Sequence, residues 1–449
     1  MKIAFFTNTF LPHVGGVARS TQTFLEDFRR LRQRVLVIAP TFEAGAAPKR
    51  IERSVERVPA VQQFNGSDFS VRLPLGAALS DRLAHFDADI IHAHHPFLLG
   101  DTALRVGAER GAPVIFTHHT LYEQYTHYVP FDSPRLQSFV IELSTRFANC
   151  CDGVVAPSQS IADLIVSRGV TSPVRVIPTG IDTKQLAGGN RARGRHRHRI
   201  SDDAVVLGHV GRLAPEKNLP YLAEALAAAL KDNPKAHALI VGSGPSQDEM
   251  TETFNSAGVG DRVTFTGKLT GRTLVDAYAA MDIFTFASHS ETQGMVLAEA
   301  MAAGNAVVAL DASGVREVVR DGKNGALLKH DAPAAEFAAA LRPIIREKSR
   351  RETLRAQALE DAAAFDRMVS AKAALAFYED TLHAFHGSGH DRDDSQWGHL
   401  LDRIAVEARL AADKIGALTH SLFSPPPDEP AVAHVPAAAA PAPVTALSG

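Results

Sequence analysis

Short apolar runs rich in β-branched residues alternate with amphipathic stretches along most of this chain, and the alternation occurs twice. Strands of a parallel sheet are buried on both faces and read as continuous apolar runs. The helices covering them keep a stripe with a 3.6-residue period. In the first half, strands are expected at 2–7, 34–39, 89–92, 113–117, 153–156 and 174–177, with helices such as 17–31 and 134–148 between them. The pattern restarts with strands at 205–210, 237–241, 262–266, 283–287 and 306–310, and helices at 218–230, 274–280 and 295–303. Between the halves, RARGRHRHR at 191–199 has no apolar period, and the interdomain linker is expected there or just before it. No sequence repeat relates the halves. The expected fold is α/β, with two successive domains at 1–185 and 200–365. A ligand cleft would lie between them, outside the carboxyl ends of the strands.

At 449 residues the chain has room for two such domains and additional segments. Its 45% hydrophobic and 22% charged residues are ordinary for a globular protein, and a net charge of -3 argues against nucleic acid as a partner. The two cysteines, Cys150 and Cys151, are adjacent, which disfavours a structural disulfide and suggests buried thiols in a reducing compartment. No Cys/His set has zinc spacing. The opening MKIAFFTNTF is too short to span a bilayer and lacks a signal-peptide core, so a cytoplasmic protein is expected, free or bound to the membrane from that side.

Beyond Phe365 the pattern changes. Residues 367–385 read as one more amphipathic helix, followed by the polar stretch HGSGHDRDDSQ. Then Trp397, Leu401, Ile404, Ala408, Ala411, Ile415, Leu418 and Leu422 recur at spacings of four and three, a heptad-like stripe. A coiled coil, a membrane-surface helix and packing on the chain itself all fit that stripe within 388–423. The Pro/Ala-rich segment 424–449 is expected to be disordered.

Four groups of residues carry chemistry. In SETQGMVLAEAMAAG, Glu291 lies on a loop after a strand and Glu299 within the following helix, with Gly294 between. Backbone N–H groups at that turn suit phosphate or sugar oxygens, and the carboxylates suit sugar hydroxyls. In GRLAPEKN, Arg212 and Lys217 follow a strand and would place positive charge where a diphosphate departs. Gly15 and Gly16 precede the first helix, where backbone can approach phosphate closely. His119, in THHTLYEQYTHYV, sits at a strand's carboxyl end, as do His92, His94 and His95, which read as packing or cleft-wall residues. Each group alone also fits a bland role: a solvated turn, a surface glutamate, a structural histidine. The G-x-G-x-x-G fingerprint of nicotinamide enzymes is absent, and VGSGP at 241–245 does not supply it.

Together these residues resemble the family 4 retaining glycosyltransferases of the GT-B fold, over roughly residues 1–386. The resemblance rests on TNTFLPHVGGVARS, on Arg212 with Lys217, on Glu291 with Glu299, and on DASGVREVVRDGKNGALL. It implies two Rossmann-like domains, an acceptor side at 1–185 and a nucleotide-sugar side at 200–365, and a helix at 366–387 returning onto the first domain. Carried over at matching positions, Glu291 contacts the donor sugar and Glu299 the ribose hydroxyls. Arg212 and Lys217 neutralise the diphosphate, joined by N–H groups of Gly16 and of Gln293, Gly294, Met295 and Val296. Lys268 and Leu269 line the base, and His119 lies near the reacting sugar. The family uses no metal or other cofactor beyond the nucleotide-sugar co-substrate. Asp87 and Asp89, the nearest thing to an Asp-x-Asp motif, begin a strand rather than end one.

HTLYEQYTHYV is similar to the corresponding stretch of bacterial diacylglycerol glucosyltransferases, whose acceptor is a lipid. Tyr122, Tyr125 and Tyr128 would line the acceptor mouth. Basic clusters at Arg29, Arg30, Arg32 and Arg34 and at KRIER, 49–53, would suit anionic headgroups, although a solvated basic face explains either equally. The reading is hexosyl transfer, glucose from UDP-glucose to diacylglycerol or a glycolipid, at the cytosolic membrane surface. Its alternative is mannosyl or other hexosyl transfer to a phospholipid or polysaccharide precursor. A non-catalytic nucleotide-binding scaffold that recruits partners, or self-associates, through its last helix is a third reading. The intact Glu291, Arg212, Lys217 and His119 weigh against it.

Overall fold

The computed structural model describes residues 1–13, 15–41, 49–61, 71–72, 81–124, 133–289, 291–387 and 396–423, without the side chains of 60, 61, 71, 72, 84, 396–404, 422 and 423. Tyr125, Tyr128 and the segment 424–449 lie outside the described residues. Two parallel sheets organise the chain. The first contains β1 (Lys2–Phe6), β2 (Arg34–Pro40) and β3 (Val55–Val58). After a small antiparallel pair, β4 (Ala60–Val61) with β5 (Val71–Arg72), it continues through β6 (Ile90–Ala93), β7 (Val114–Thr117), β8 (Gly153–Ala156) and β9 (Val174–Val176). Its order is β3-β2-β1-β6-β7-β8-β9. The second sheet holds β10 (Val205–Val210), β11 (Ala236–Val241), β12 (Val263–Phe265), β13 (Ile283–Phe286), β14 (Ala306–Leu310) and β15 (Gly325–Leu328), in the order β12-β11-β10-β13-β14-β15.

Alternation along each strand sends side chains to opposite faces, and each sheet therefore carries two apolar cores. On the first sheet, Ile3 and Phe5 join one core while Ala4 and Phe6 join the other. On the second, Leu207 and Ile240 face one side, Val206 and Leu239 the other. In both sheets the strand order reverses beside the first strand, between β1 and β6 and between β10 and β13. The crevices that open above these reversals are where ligands of doubly wound folds bind.

The segment 191–199 is not a linker. Residues Arg191–Arg197 form a helix, capped by Asn190, whose side chain accepts from the Arg193 N–H at 2.8 Å. It docks on the second domain through charge rather than through an apolar stripe. Arg195, 1% exposed, donates to Asp282 Oδ2 at 2.9 Å, and Arg191 donates to Oδ1 at 2.7 Å. Arg193 pairs with the buried Asp276 at 2.5 Å. A Cβ on Gly194 would fall 2.2 Å from the Asp276 carbonyl, so glycine permits this close approach. A search for apolar periodicity does not register a helix held this way.

The helix Arg367–Gly387 returns to the first domain. Arg367 binds Asp27 at 2.8 Å and Glu26 at 3.1 Å, both on the helix Gly16–Arg30. The helix Gln396–Phe423 also packs on the first domain, against Leu99–Arg110 and Pro134–Asn149. Of the three fates open to this segment, the structure shows packing on the chain itself, and among the described residues the members of the expected stripe are not the buried ones. Leu410, Ala417 and Ser421 are buried, and Lys414 binds Asp101 at 2.6 Å. Ala408 and Ala411 are exposed, as are Ile415 (65%) and Leu418 (53%). The side chains of Trp397, Leu401, Ile404 and Leu422 lie outside the described residues.

Because Arg195 and Asp282 are both buried, removing one leaves the other as an uncompensated interior charge. Asp282→Ala is expected to cost about 3–5 kcal/mol, read as a clear fall in the denaturant midpoint of the full chain. A variant with the wild-type midpoint would contradict the role given to the helix Arg191–Arg197.

Candidate active site

The residues singled out from sequence converge on the crevice above β10 and β13. After β10 the chain turns sharply at Gly211. It can do so because β11 ends in the glycines of VGSGP: a Cβ on Gly242 would lie 1.8 Å from the Gly211 carbonyl oxygen. These glycines allow backbone to cross backbone and do not form a nicotinamide motif. A one-turn helix, Pro215–Lys217, then places Lys217 Nζ 3.5 Å from Glu291 Oε2. Arg212, with its side chain 53% exposed, pairs with Glu216 on the one-turn helix.

The loop after β13 is more tightly determined. Gly294 adopts φ 76°, a left-handed conformation strained for other residues, and caps the helix Met295–Ala302. That turn brings the N–H of Gly294 to Glu291 Oε1 at 3.0 Å, with the Gln293 N–H at 3.4 Å. Gln293, which is buried, spans to the connection between the halves. Its Oε1 accepts from the Thr179 N–H at 2.9 Å and its Nε2 donates to the Thr179 carbonyl at 2.6 Å. Met295 and Val296 are half-buried on the first turn of the helix. Glu299, its side chain 1% exposed, accepts from the Tyr278 hydroxyl at 2.7 Å and meets Arg19 of the first domain at 2.5 Å.

The first domain supplies the opposite wall. Gly16 begins the first helix, and a Cβ there would meet nothing within 4 Å, so the space beside it is open. His119 Nε2 lies 2.9 Å from His94 Nδ1, and His94 stacks on His92 with ring centres 4.2 Å apart. His92 in turn bonds Thr117 Oγ1 at 2.6 Å and Tyr378 of the return helix at 2.5 Å. Burial holds these imidazoles in the neutral form: His92 and His95 are pushed down to about 3, His118 to about 4, and His94 and His119 well below their ordinary value. His92, His94 and His95 are packing residues: the first two form the stack on which His119 rests, and His95 Nδ1 accepts from the Asn8 N–H at 3.1 Å. Tyr122 packs edge-on against Phe97 and His118, with ring centres 5.4 and 5.9 Å away. Among the described residues its hydroxyl has no hydrogen-bond partner.

Other residues lie further out. Lys268 and Leu269 follow β12, two strands from the reversal; Lys268 is exposed and Leu269 packs against the core. Asp87 pairs with Lys2 at 3.3 Å and Asp89 accepts from the Lys2 N–H, both at the amino ends of strands, remote from the cleft. Arg29, Arg34, Arg53 and Arg82 surround a cavity of about 560 Å³ at that same end of the first sheet. Cys150 and Cys151 are free thiols, the first half-buried rather than buried. Among the described residues, no three His, Cys, Asp or Glu side chains are grouped to hold a metal ion, and no helix is long and apolar enough to cross a membrane.

Sequence reasoning passed over Arg19, Tyr278 and Thr179. Their partners lie in distant segments, and the one local signal was a cation one turn inside the helix that follows the Gly15–Gly16 pair.

Two facing α/β domains, with two glutamates, an arginine and a lysine at the switch point of the second, are the arrangement of a GT-B enzyme. Residues 14–185 match the model of Glycosyltransferase Family 4 and residues 190–361 that of Glycosyl transferases group 1. An alpha-monoglucosyldiacylglycerol synthase of Streptococcus pneumoniae is 31% identical over 349 residues, covering 75% of this chain and 77% of that protein. A GDP-mannose-dependent alpha-mannosyltransferase of Mycolicibacterium smegmatis is 32% identical over 360 residues, covering 78% and 90%. Among solved structures, HepE of Anabaena in complex with UDP-glucose superposes with a TM-score of 0.65 at 25% identity, covering 86% of this chain and 100% of that one. The chain belongs to this glycosyltransferase family, and it is a hexosyltransferase of the GT-B fold.

The neutral histidines make stability depend on pH. Their folded pKa values lie below the unfolded value near 6.5, so the unfolded chain binds more protons as pH falls from about 6.5 toward 4.5. Each buried imidazole should then remove about 1.4 kcal/mol per pH unit across that window. Melting temperatures recorded from pH 7.5 to 4.5 should fall, and His118→Asn should flatten the slope. A profile identical to wild type would show that His118 is already charged in the folded chain.

Proposed function

We propose that this enzyme moves a hexose, glucose from UDP-glucose, onto a membrane lipid such as diacylglycerol, with retention of anomeric configuration and without a metal. The observation that carries the donor site is the crevice in which Lys217 and Glu291 lie 3.5 Å apart at the β10/β13 reversal. The N–H groups of Gln293 and Gly294, already turned onto Glu291, lie in the same loop. The likeness to alpha-monoglucosyldiacylglycerol synthases supports the donor hexose and the acceptor class. The mannosyl alternative has support of its own, because GDP-mannose-dependent relatives reach the same level of identity.

In this reading Glu291 grips the donor sugar and Glu299 the ribose, while Lys268 and Leu269 border the base. Arg212 and Lys217 neutralise the diphosphate as its bond to the anomeric carbon breaks, helped by N–H groups of Gly16 and of Gln293–Val296. The acceptor hydroxyl attacks from the face the diphosphate leaves, and the departing phosphate oxygen takes its proton. The protein supplies position and charge rather than a covalent nucleophile. His119, neutral and braced by His94, directs a ring N–H or lone pair at a donor-sugar hydroxyl. Tyr122 borders the acceptor side, and the enzyme works at the cytosolic membrane surface.

The test is transfer by the full chain from UDP- and GDP-hexoses to diacylglycerol in anionic liposomes, with the product anomer assigned by NMR. An α-glucolipid formed from the α-linked donor is expected. Arg212→Ala and Glu291→Ala should each lower kcat about 100-fold or more. Full transfer by either variant would show that the donor site lies elsewhere.

A further inference from the structure

We infer that Arg19 is a positioning residue through which the first domain orients the carboxylate that holds the donor ribose. The inference rests on the assignment of Glu299 to ribose made above. Glu299 is almost wholly removed from solvent, and a buried carboxylate needs compensating partners. One partner comes from its own domain: the Tyr278 hydroxyl, fully buried, donates to Oε2 at 2.7 Å. Burial first, and then the neighbouring carboxylate, push that phenol well above its ordinary value, so it stays a donor.

The other oxygen is compensated from across the cleft. Arg19 Nη2 lies 2.5 Å from Oε1, yet no N–H is aligned on that oxygen. Oε1 is therefore charge-paired and buried, with a lone pair that no N–H occupies; a ribose hydroxyl reaches it once the half-exposed Arg19 side chain shifts enough to make room. Among the described residues Arg19 pairs with no other carboxylate, and its side chain is 52% exposed.

Neighbouring contacts fix where Arg19 can reach. Ser20, the next residue, bonds Thr179 Oγ1 at 2.6 Å, and the Thr179 backbone is held at both polar groups by Gln293. Segments 15–20, 179 and 293–299 are thus tied together, and the guanidinium projects from the first turn of the helix that begins at the open space beside Gly16. Through this contact, Glu299 presents Oε1 to ribose only while the two domains stand together. Arg19 acts through Glu299 and needs no contact with the donor.

The experiment is calorimetric titration of the full chain with UDP and with 2′-deoxy-UDP, with GDP and 2′-deoxy-GDP in parallel so that the base is not presupposed. Wild type, Arg19→Met, Arg19→Lys and Glu299→Gln are compared as the ratio of ribo to deoxy affinity. A hydrogen bond to a charged group implies a wild-type ratio of about 10 or more. Arg19→Met should reduce the ratio to below about 3, chiefly by weakening the ribonucleotide, and Arg19→Lys should restore part of it. A loss that is equal for both nucleotides would mean that Arg19 serves the diphosphate, and would overturn the inference. So would a wild-type ratio in Arg19→Met when Glu299→Gln has lost it, and in that case the ribose assignment would stand. A wild-type chain that binds ribo- and deoxynucleotide equally would instead remove the ribose assignment itself. Should Arg19→Met fail to fold, the ratio in Arg19→Lys decides: an undiminished ratio with altered geometry counts against the inference.

Discussion

The site depends on two glycine turns packed against each other. Gly294 and Gly314 both adopt left-handed φ, 76° and 75°. A Cβ on Gly314 would lie 2.5 Å from the Gln293 nitrogen, and one on Gly294 would lie 2.9 Å from the Gly314 carbonyl oxygen. With backbone this close, the loop after β13 has one path. That path sets the Gly294 N–H on Glu291, carries Gln293 to Thr179, and begins the helix that holds Glu299. Past Gly314, Glu317 reaches the first domain, where its two oxygens accept from the N–H groups of Gln159 and Ser160 at 2.7 Å each, at the start of the helix Gln159–Ser167. A carboxylate there also favours the positive end of that helix. One close contact between two turns thereby shapes the donor loop and seats one domain on the other.

Buried or nearly buried carboxylates perform the remaining long-range joining. Asp282 and Asp276 anchor the helix Arg191–Arg197, Asp27 receives Arg367 from the return helix, and Glu299 receives Arg19. Each pair joins segments distant in sequence, and each carboxylate is almost inaccessible. Apolar cores account for how each sheet is covered; these charge pairs account for how the pieces are placed on one another. Such pairs add little net stability compared with apolar packing but strongly penalise arrangements that separate them. That suits an enzyme whose site is completed only when two halves meet.

This division explains what could be read from the sequence. Strands such as 205–210 and 283–287 are legible because burial on both faces leaves an unbroken apolar run, and the loops after them follow from the fold rule for parallel sheets. Glu291, Lys217 and His119 were found that way, since each lies in the connection that follows a strand. Arg19 was not, because its partner is 280 positions away and no spacing rule relates them. The helix Arg191–Arg197 was misread for the same reason: its docking partners are Asp276 and Asp282, and its own sequence contains no apolar stripe. In the last helix, the heptad pattern selected the more hydrophobic face, through Ile415 and Leu418. The face that docks contains Leu410, Ala417 and Ser421, smaller on the whole and flanked by Lys414 in its ion pair with Asp101.

The central claim is that a nucleotide-sugar binds between the domains, on the loops after β10 and β13, and engages the first helix as well. Amide hydrogen exchange of the full chain, with and without saturating UDP-glucose, addresses it directly. The account predicts new protection in 211–218, in 291–302 and at the start of the helix Gly16–Arg30, with the helix Gln396–Phe423 unchanged. Protection confined to the second domain, or appearing around the basic cavity at Arg29 and Arg82, would contradict it.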